Sequence, residues 1–147
     1  MEKTKENTEL ELAREIAETA DVSSAPNSVV LYSTSYQPTD VNKREALQYM
    51  AEHKGCSWLD NTECGQKLIA LNLATDYKNP EGELMKIWAR ASERFIAQAS
   101  GNITAFVAGA DPRSTFVTVE LPTLLKNDKI VTVNGTDKYE FARHFYR

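Results

Sequence analysis

Apolar positions along the chain follow two spacings, and most of the first two-thirds follows the helical one. Leu10, Leu12, Ala13, Ile16, Ala17 and Ala20 form a stripe in a charged stretch, which predicts a helix over roughly residues 8–20. It either docks on the domain or an upstream partner, or stands as a solvated leader, the reading favoured here. Residues 1–22 are taken as that charged leader and 23–147 as the domain. Ser23 to Ser28 has turn composition. Val29 to Tyr32 is a short apolar run, a strand or the end of a buried helix. Thr39-Asp40 is a fitting N-cap for a helix over about 41–53, with Ala46, Leu47 and Met50 inward. Lys54-Gly55 ends it, and an irregular segment with Trp58 follows. Leu68, Ile69, Leu71 and Leu73 fit helix or strand equally.

The clearest helix is central. Leu84, Ile87, Trp88, Ala91 and Phe95 recur on one face. Asn79-Pro80-Glu81 opens this helix and Ser100-Gly101-Asn102 closes it. Beyond it the period shortens. Ile103 to Val107, Ser114 to Leu121 and Ile130 to Val133 read as strands, the second stopping at Pro122. An Asn134-Gly135 turn and a terminal helix over 137–146 complete the chain. Helices first and strands later suggest an α+β fold, with helices packed on a small sheet.

Composition narrows the function classes. One domain is expected from 147 residues, and a net charge of -4 offers no basic surface to a phosphate backbone. Nucleic acid is therefore not expected as a partner. Neither is a membrane, because no apolar run approaches the ~20 residues that cross a bilayer. The N-terminal residues lack the apolar core of a signal peptide, so export by the usual route is not expected. Cys56 and Cys64 are either joined or free, as the compartment decides. With His53 the one nearby imidazole, no zinc site is expected. Asp60 and Glu63 supply too few ligands for a cation. Trp58 reads as a lid or core residue, and His53 and His144 receive no role.

Candidate chemistry lies between Ile87 and Leu125. Ser92 follows Trp88 by four, which sets a hydroxyl and an indole one turn apart on one side of the helix. In the strand reading, Ser114, Phe116, Thr118 and Glu120 share a face. A carboxylate would then neighbour an aromatic ring and hydroxyls, a set suited to catalysis at a sugar.

Together these two pieces resemble the ADP-ribosyl cyclase family, which includes the animal NAD glycohydrolases. Its pattern Phe-Trp-x-x-x-Ser-x-Arg-Phe-Ala is met by Ile87-Trp88, Ser92 and Arg94-Phe95. Its Ser-Thr-Phe-x-x-x-Glu is met by Ser114-Thr115-Phe116 and Glu120. Upstream, Val30-Leu31-Tyr32-Ser33 is similar to Leu-Leu-Trp-Ser-Arg, with Tyr32 for the tryptophan and Thr34 for the arginine. Ala46 to Glu52 is similar to Leu-Leu-Gly-Tyr-Leu-Ala-Asp. The family's acidic pair falls on Lys43 and Arg44, with Glu45 beside them.

The resemblance implies a small, mainly parallel sheet in the C-terminal third and cleavage of the nicotinamide–ribose bond of NAD+ or NADP+. NAD+ is then a substrate, and no cofactor or metal is implied. Nicotinamide is already cationic in NAD+, so it leaves without a general acid, unlike the leaving group in ordinary glycoside hydrolysis. Glu120 would stabilise the oxocarbenium-like ribose, Trp88 would stack on nicotinamide, and Ser92 and Thr115 would bind sugar or phosphates. Phe116 would wall the pocket, Tyr32 would give a second aromatic face, and Ser33, Glu45 and Ser114 join the substrate contacts. The expected activity is hydrolysis to nicotinamide and ADP-ribose, with cyclisation to cyclic ADP-ribose as a further outcome. A domain of this kind suits a bacterial toxin, delivered within a larger secreted protein to a target cell's cytoplasm and blocked by an immunity protein. The alternatives are a catalytically inactive nucleotide-binding or interaction domain and, less favoured by the acidic balance, a nuclease toxin.

Overall fold

The computed structural model describes residues 5–33, 41–71, 82–108, 116–143 and 145. Among the described residues, six α-helices pack with a four-stranded sheet ordered β1-β2-β3-β4. β1 (Val30–Tyr32) pairs parallel with β2 (Gly101–Phe106), placing Val30 opposite Thr104 and Tyr32 opposite Phe106. β2 also pairs parallel with β3 (Ile130–Val133), with a register irregularity between Gly101 and Asn102. β4 (Thr136–Asp137) returns antiparallel on β3. The sheet thus draws one strand from between the first two helices and three from the C-terminal third. The hairpin between β3 and β4 turns at Asn134 and Gly135, both at positive φ, the conformation that an Asn-Gly turn favours. Asn134 also bonds Ala105 through both amide atoms, donating to its carbonyl and accepting from its N–H.

α1 (Lys5–Thr19) is docked and is no solvated leader. Ala13 and Ala17 are buried, because small side chains let α1 lie close against α4 (Glu83–Ala97). The Arg94 guanidinium of α4 donates to the Ala17 and Ala20 carbonyls, satisfying the open end of α1. Outside this seam, Arg14 pairs with Glu83 and Arg90 with Glu18. Such exposed pairs add little to stability, because solvent screens them.

α2 (Val41–Glu52) packs on β1 and β2 through Asn42 and Ala46, whereas Leu47, expected inward, is exposed. The residues of the expected Thr39-Asp40 cap lie outside those described. Of the ambiguous apolar run, Leu68 and Ile69 fall in α3 (Glu63–Ala70) and Leu71 ends it, while Leu73 lies outside the described residues; the Thr62 hydroxyl caps this helix by accepting from the Gly65 N–H. Before it, the chain runs along the free side of β1. The Ser57 N–H donates to Ser28 and the Val30 N–H to Ser57, so Trp58 ends beside Tyr32 with ring centres 6.0 Å apart.

The main correction concerns Phe116 to Leu121, which form no strand. Phe116–Glu120 is a π-helical turn that runs into α5 (Leu121–Lys126). Pro122, expected to end a strand, sits in the first turn of α5, where its fixed φ and missing N–H fit. Phe116, Leu121 and Leu124 are buried, so helical burial overrides the strand preference of Val117, Thr118 and Val119. The terminal helix is shorter than expected, α6 (Lys138–Ala142), and the Asp137 carboxylate caps its first turn. Cys56 and Cys64 are both free thiols. No described helix is long and apolar enough to cross a membrane.

Candidate active site

α4 supplies one half of the site. Its buried face carries Ile87, Ala91, Phe95 and Ile96, and Ser92 is buried beside Ala91. Trp88 precedes Ser92 by one turn and is half-buried against the core. The other half is the π-turn. A helical turn places residues four apart on one side and residues two apart on opposite sides. Accordingly Phe116 and Glu120 point inward, while Thr118, expected on their face, points out to solvent.

This correction changes the environment of Glu120. On a sheet face its carboxylate would stand in water, but on the π-turn it is 8% exposed, and the Ser92 hydroxyl donates to it. Burial pushes the Glu120 carboxyl up from the usual 4.5 to about 7, and the Ser92 hydrogen bond opposes that rise. A carboxylate so desolvated, with one hydroxyl partner, suits a charge that develops close by in a dry site. Single-turn π-helices occur often at functional sites.

The remaining candidates are spread more widely. Phe116, expected as a pocket wall, is buried in an aromatic cluster, with Phe145 edge-on at 5.5 Å and Phe141 at 6.5 Å. Its ring anchors the π-turn to the core. Tyr32 is half-buried at the end of β1 beside Trp58, and Ser33 is buried, its N–H donating to the Phe106 carbonyl. Glu45 is exposed on α2. Ser114 and Thr115 lie outside the described residues.

Two residues just after Ser57, which pairs at the β1 edge, received no substrate role from the sequence. Trp58 forms an aromatic pair with Tyr32. Burial raises the Asp60 carboxyl, and the Lys43 charge opposes this. The signal for both is a backbone contact, the pairing of Ser57 with the β1 edge, which no local spacing reveals. Among the described residues, no three His, Cys, Asp or Glu side chains gather into a metal-holding group. A groove of about 640 Å³ runs along the outer side of the π-turn, lined by Glu93, Thr118, Val119, Pro122 and Lys126 among others. Glu120 faces the other way.

No family model and no curated protein matches the chain. Solved structures do. Porcine CD38, complexed with a covalent intermediate (ribo-F-ribose-5'-phosphate), superposes with a TM-score of 0.61 at 21% identity, over 86% of this chain and 67% of that one. An ADP ribosyl cyclase complexed with N1-cIDPR gives 0.56 at 22% identity, over 74% of this chain and 48% of that one. Aplysia cyclase, complexed with substrate NGD and product cGDPR, gives 0.55 at 23% identity with the same coverages. The chain thus spans about half the length of these two cyclases, 48% in each case. Its helices packed on a small, mainly parallel sheet are an ADP-ribosyl cyclase-like fold.

Proposed function

We propose that this domain is an NAD+ glycohydrolase, converting NAD+ and water to nicotinamide and ADP-ribose. The observation that carries the reading is the buried Glu120 carboxylate bonded by Ser92, a serine that follows the half-buried Trp88 by one helical turn. Support also comes from the fold, which this chain shares with structures solved around cyclic nucleotide products and a ribosyl intermediate.

Each residue has a separable task. Trp88 stacks on the cationic nicotinamide ring, a contact that weakens as the ring leaves neutral. That loss is offset at Glu120, where positive charge moves onto the ribose and meets a fixed carboxylate. Ser92 holds that carboxylate in one orientation. An opposite charge within about 4–6 Å lowers a carboxyl pKa by roughly 1–3 units, so bound NAD+ itself ionises Glu120. Tyr32, Ser33, Glu45, Ser114 and Thr115 are the proposed substrate contacts, and the buried Phe116 serves them by anchoring the π-turn. Water attacking the ribosyl cation gives ADP-ribose, while attack by the adenine ring gives the cyclic product.

The test is nicotinamide release from NAD+ and NADP+ by wild type and Glu120→Gln, with products resolved by chromatography. Release by wild type and its loss in the variant supports the reading. Equal release from both would remove Glu120 from the chemistry.

Burial of Glu120 also favours a second reading, because a pKa of about 7 leaves much of the free carboxyl protonated at neutral pH. A domain that binds nucleotide without turning it over would need no more. NAD+ binding without nicotinamide release would establish that alternative. An active NAD+-consuming domain would deplete any cell holding it unchecked. We therefore extend the proposal to a bacterial toxin delivered to a target cell's cytoplasm and restrained by an immunity protein. Growth arrest and NAD+ loss on expression of wild type, and not of Glu120→Gln, is the expected result.

A further inference from the structure

Six polar or charged side chains are buried among the described residues, and one of them spans two strand ends of the sheet. This is Asn42, in the first turn of α2. Its amide nitrogen donates to the Ser33 carbonyl at 2.8 Å and to the Ala108 carbonyl at 2.9 Å. Those two carbonyls stand at the carboxyl ends of neighbouring parallel strands, Ser33 just beyond β1 and Ala108 just beyond β2. The last backbone bond between the strands runs from the Ser33 N–H to the Phe106 carbonyl. Asn42 therefore adds one more rung where the strands part.

Ligands of sheets with parallel strands gather outside the carboxyl ends, where chains diverge. Here the end of β1 carries Tyr32 and Ser33, two of the proposed substrate contacts, and the end of β2 stands beside it. We propose that Asn42 is a positioning residue that holds the substrate-contacting end of β1, Tyr32 and Ser33, at its separation from the end of β2. The inference rests on the NAD+ glycohydrolase reading. A primary amide suits the task because one nitrogen carries two N–H donors aimed at two carbonyls. Aspartate has the same size but, when ionised, only acceptors, and would turn its oxygens against both carbonyls. Glu120 and Ser92 sit on other elements, so altered spacing is felt in substrate binding more than in bond cleavage.

The experiment is steady-state nicotinamide release from NAD+ by wild type, Asn42→Asp and Asn42→Thr, with a thermal melt of each. KM is expected to rise about tenfold or more in Asn42→Asp, the cost of one displaced hydrogen-bonded contact. Asn42→Thr keeps one hydroxyl donor and should show a smaller rise. In both, kcat should stay within about threefold of wild type, since uniform binding is what is lost. Lowered melting with unchanged KM would make Asn42 merely structural and overturn the inference, as would a loss confined to kcat. If Asn42→Asp fails to fold, Asn42→Thr decides by the same criteria. Absence of nicotinamide release by wild type would instead overturn the glycohydrolase reading, and this inference with it.

Discussion

Replacing Glu120 by glutamine should abolish activity and stabilise the protein at the same time. The Glu120 carboxyl shifts from 4.5 in the unfolded chain to about 7 in the folded one. Below the lower value both states carry the proton and nothing is lost. Between the two, the unfolded chain ionises while the folded one resists, so stability falls as pH rises. Above about 7 the loss is complete and constant. The shift is 7 − 4.5 = 2.5 units, and at 1.36 kcal/mol per unit it corresponds to about 3 kcal/mol. The substituted glutamine mimics the neutral acid and keeps an oxygen for the Ser92 hydroxyl, but its amide brings donors that need partners. A net gain of about 1–3 kcal/mol is therefore expected at pH 8, or roughly 2–12 °C for a domain of this size. At about pH 4.5 the gain should vanish. Paired thermal melts of wild type and Glu120→Gln at the two pH values measure it. A stability difference that is the same at both, or a less stable variant at pH 8, would refute the buried carboxylate and the catalytic argument built on it.

Other outcomes follow from the same geometry. Ser92→Ala removes a hydroxyl that holds Glu120 down, so the acid limb of kcat/KM should move above about 7, with the larger loss at pH 6 than at pH 8; an unmoved limb would separate Ser92 from Glu120. Trp88→Ala should weaken nicotinamide stacking, costing about 1–2 kcal/mol in kcat/KM for NAD+, with a smaller change in affinity for ADP-ribose, which lacks that ring. Gly101 has φ +80°, and a Cβ there would meet the Asn27 side chain. Gly101→Ala should therefore destabilise by about 2 kcal/mol or more in urea unfolding, since strain and a displaced Asn27 add.

Local spacing made much of the scaffold legible. α4 was readable because five apolar residues keep one face over three turns, and the turn after β3 because Asn-Gly has few other uses, whereas the two-residue β4 that follows it was not. The π-turn was not. Val117, Thr118 and Val119 are strand formers, and alternation across 114–121 imitates a half-buried strand. What decides the matter is distant, the seating of the Phe116 ring between Phe141 and Phe145 and the burial of Leu121 and Leu124. Ser92 and Glu120 were each singled out from their own segments. That the hydroxyl donates to the carboxylate depends on the turn and could not be read from either segment. α1 looked solvated because its charges are conspicuous, whereas its docking rests on Ala13, Ala17 and an arginine far along the chain. Asn42, Trp58 and Asp60 are likewise placed by tertiary contacts that leave no periodic trace.

The central claim is a spatial one, that the Glu120 carboxylate and the Trp88 indole flank the nicotinamide–ribose bond. The most direct measurement is a crystal structure of Glu120→Gln soaked with NAD+. The account expects the anomeric carbon within about 3–4 Å of the residue 120 side chain, with the nicotinamide ring against Trp88. NAD+ bound in the outer groove by Thr118 and Pro122, or with its ribose remote from residue 120, would contradict it.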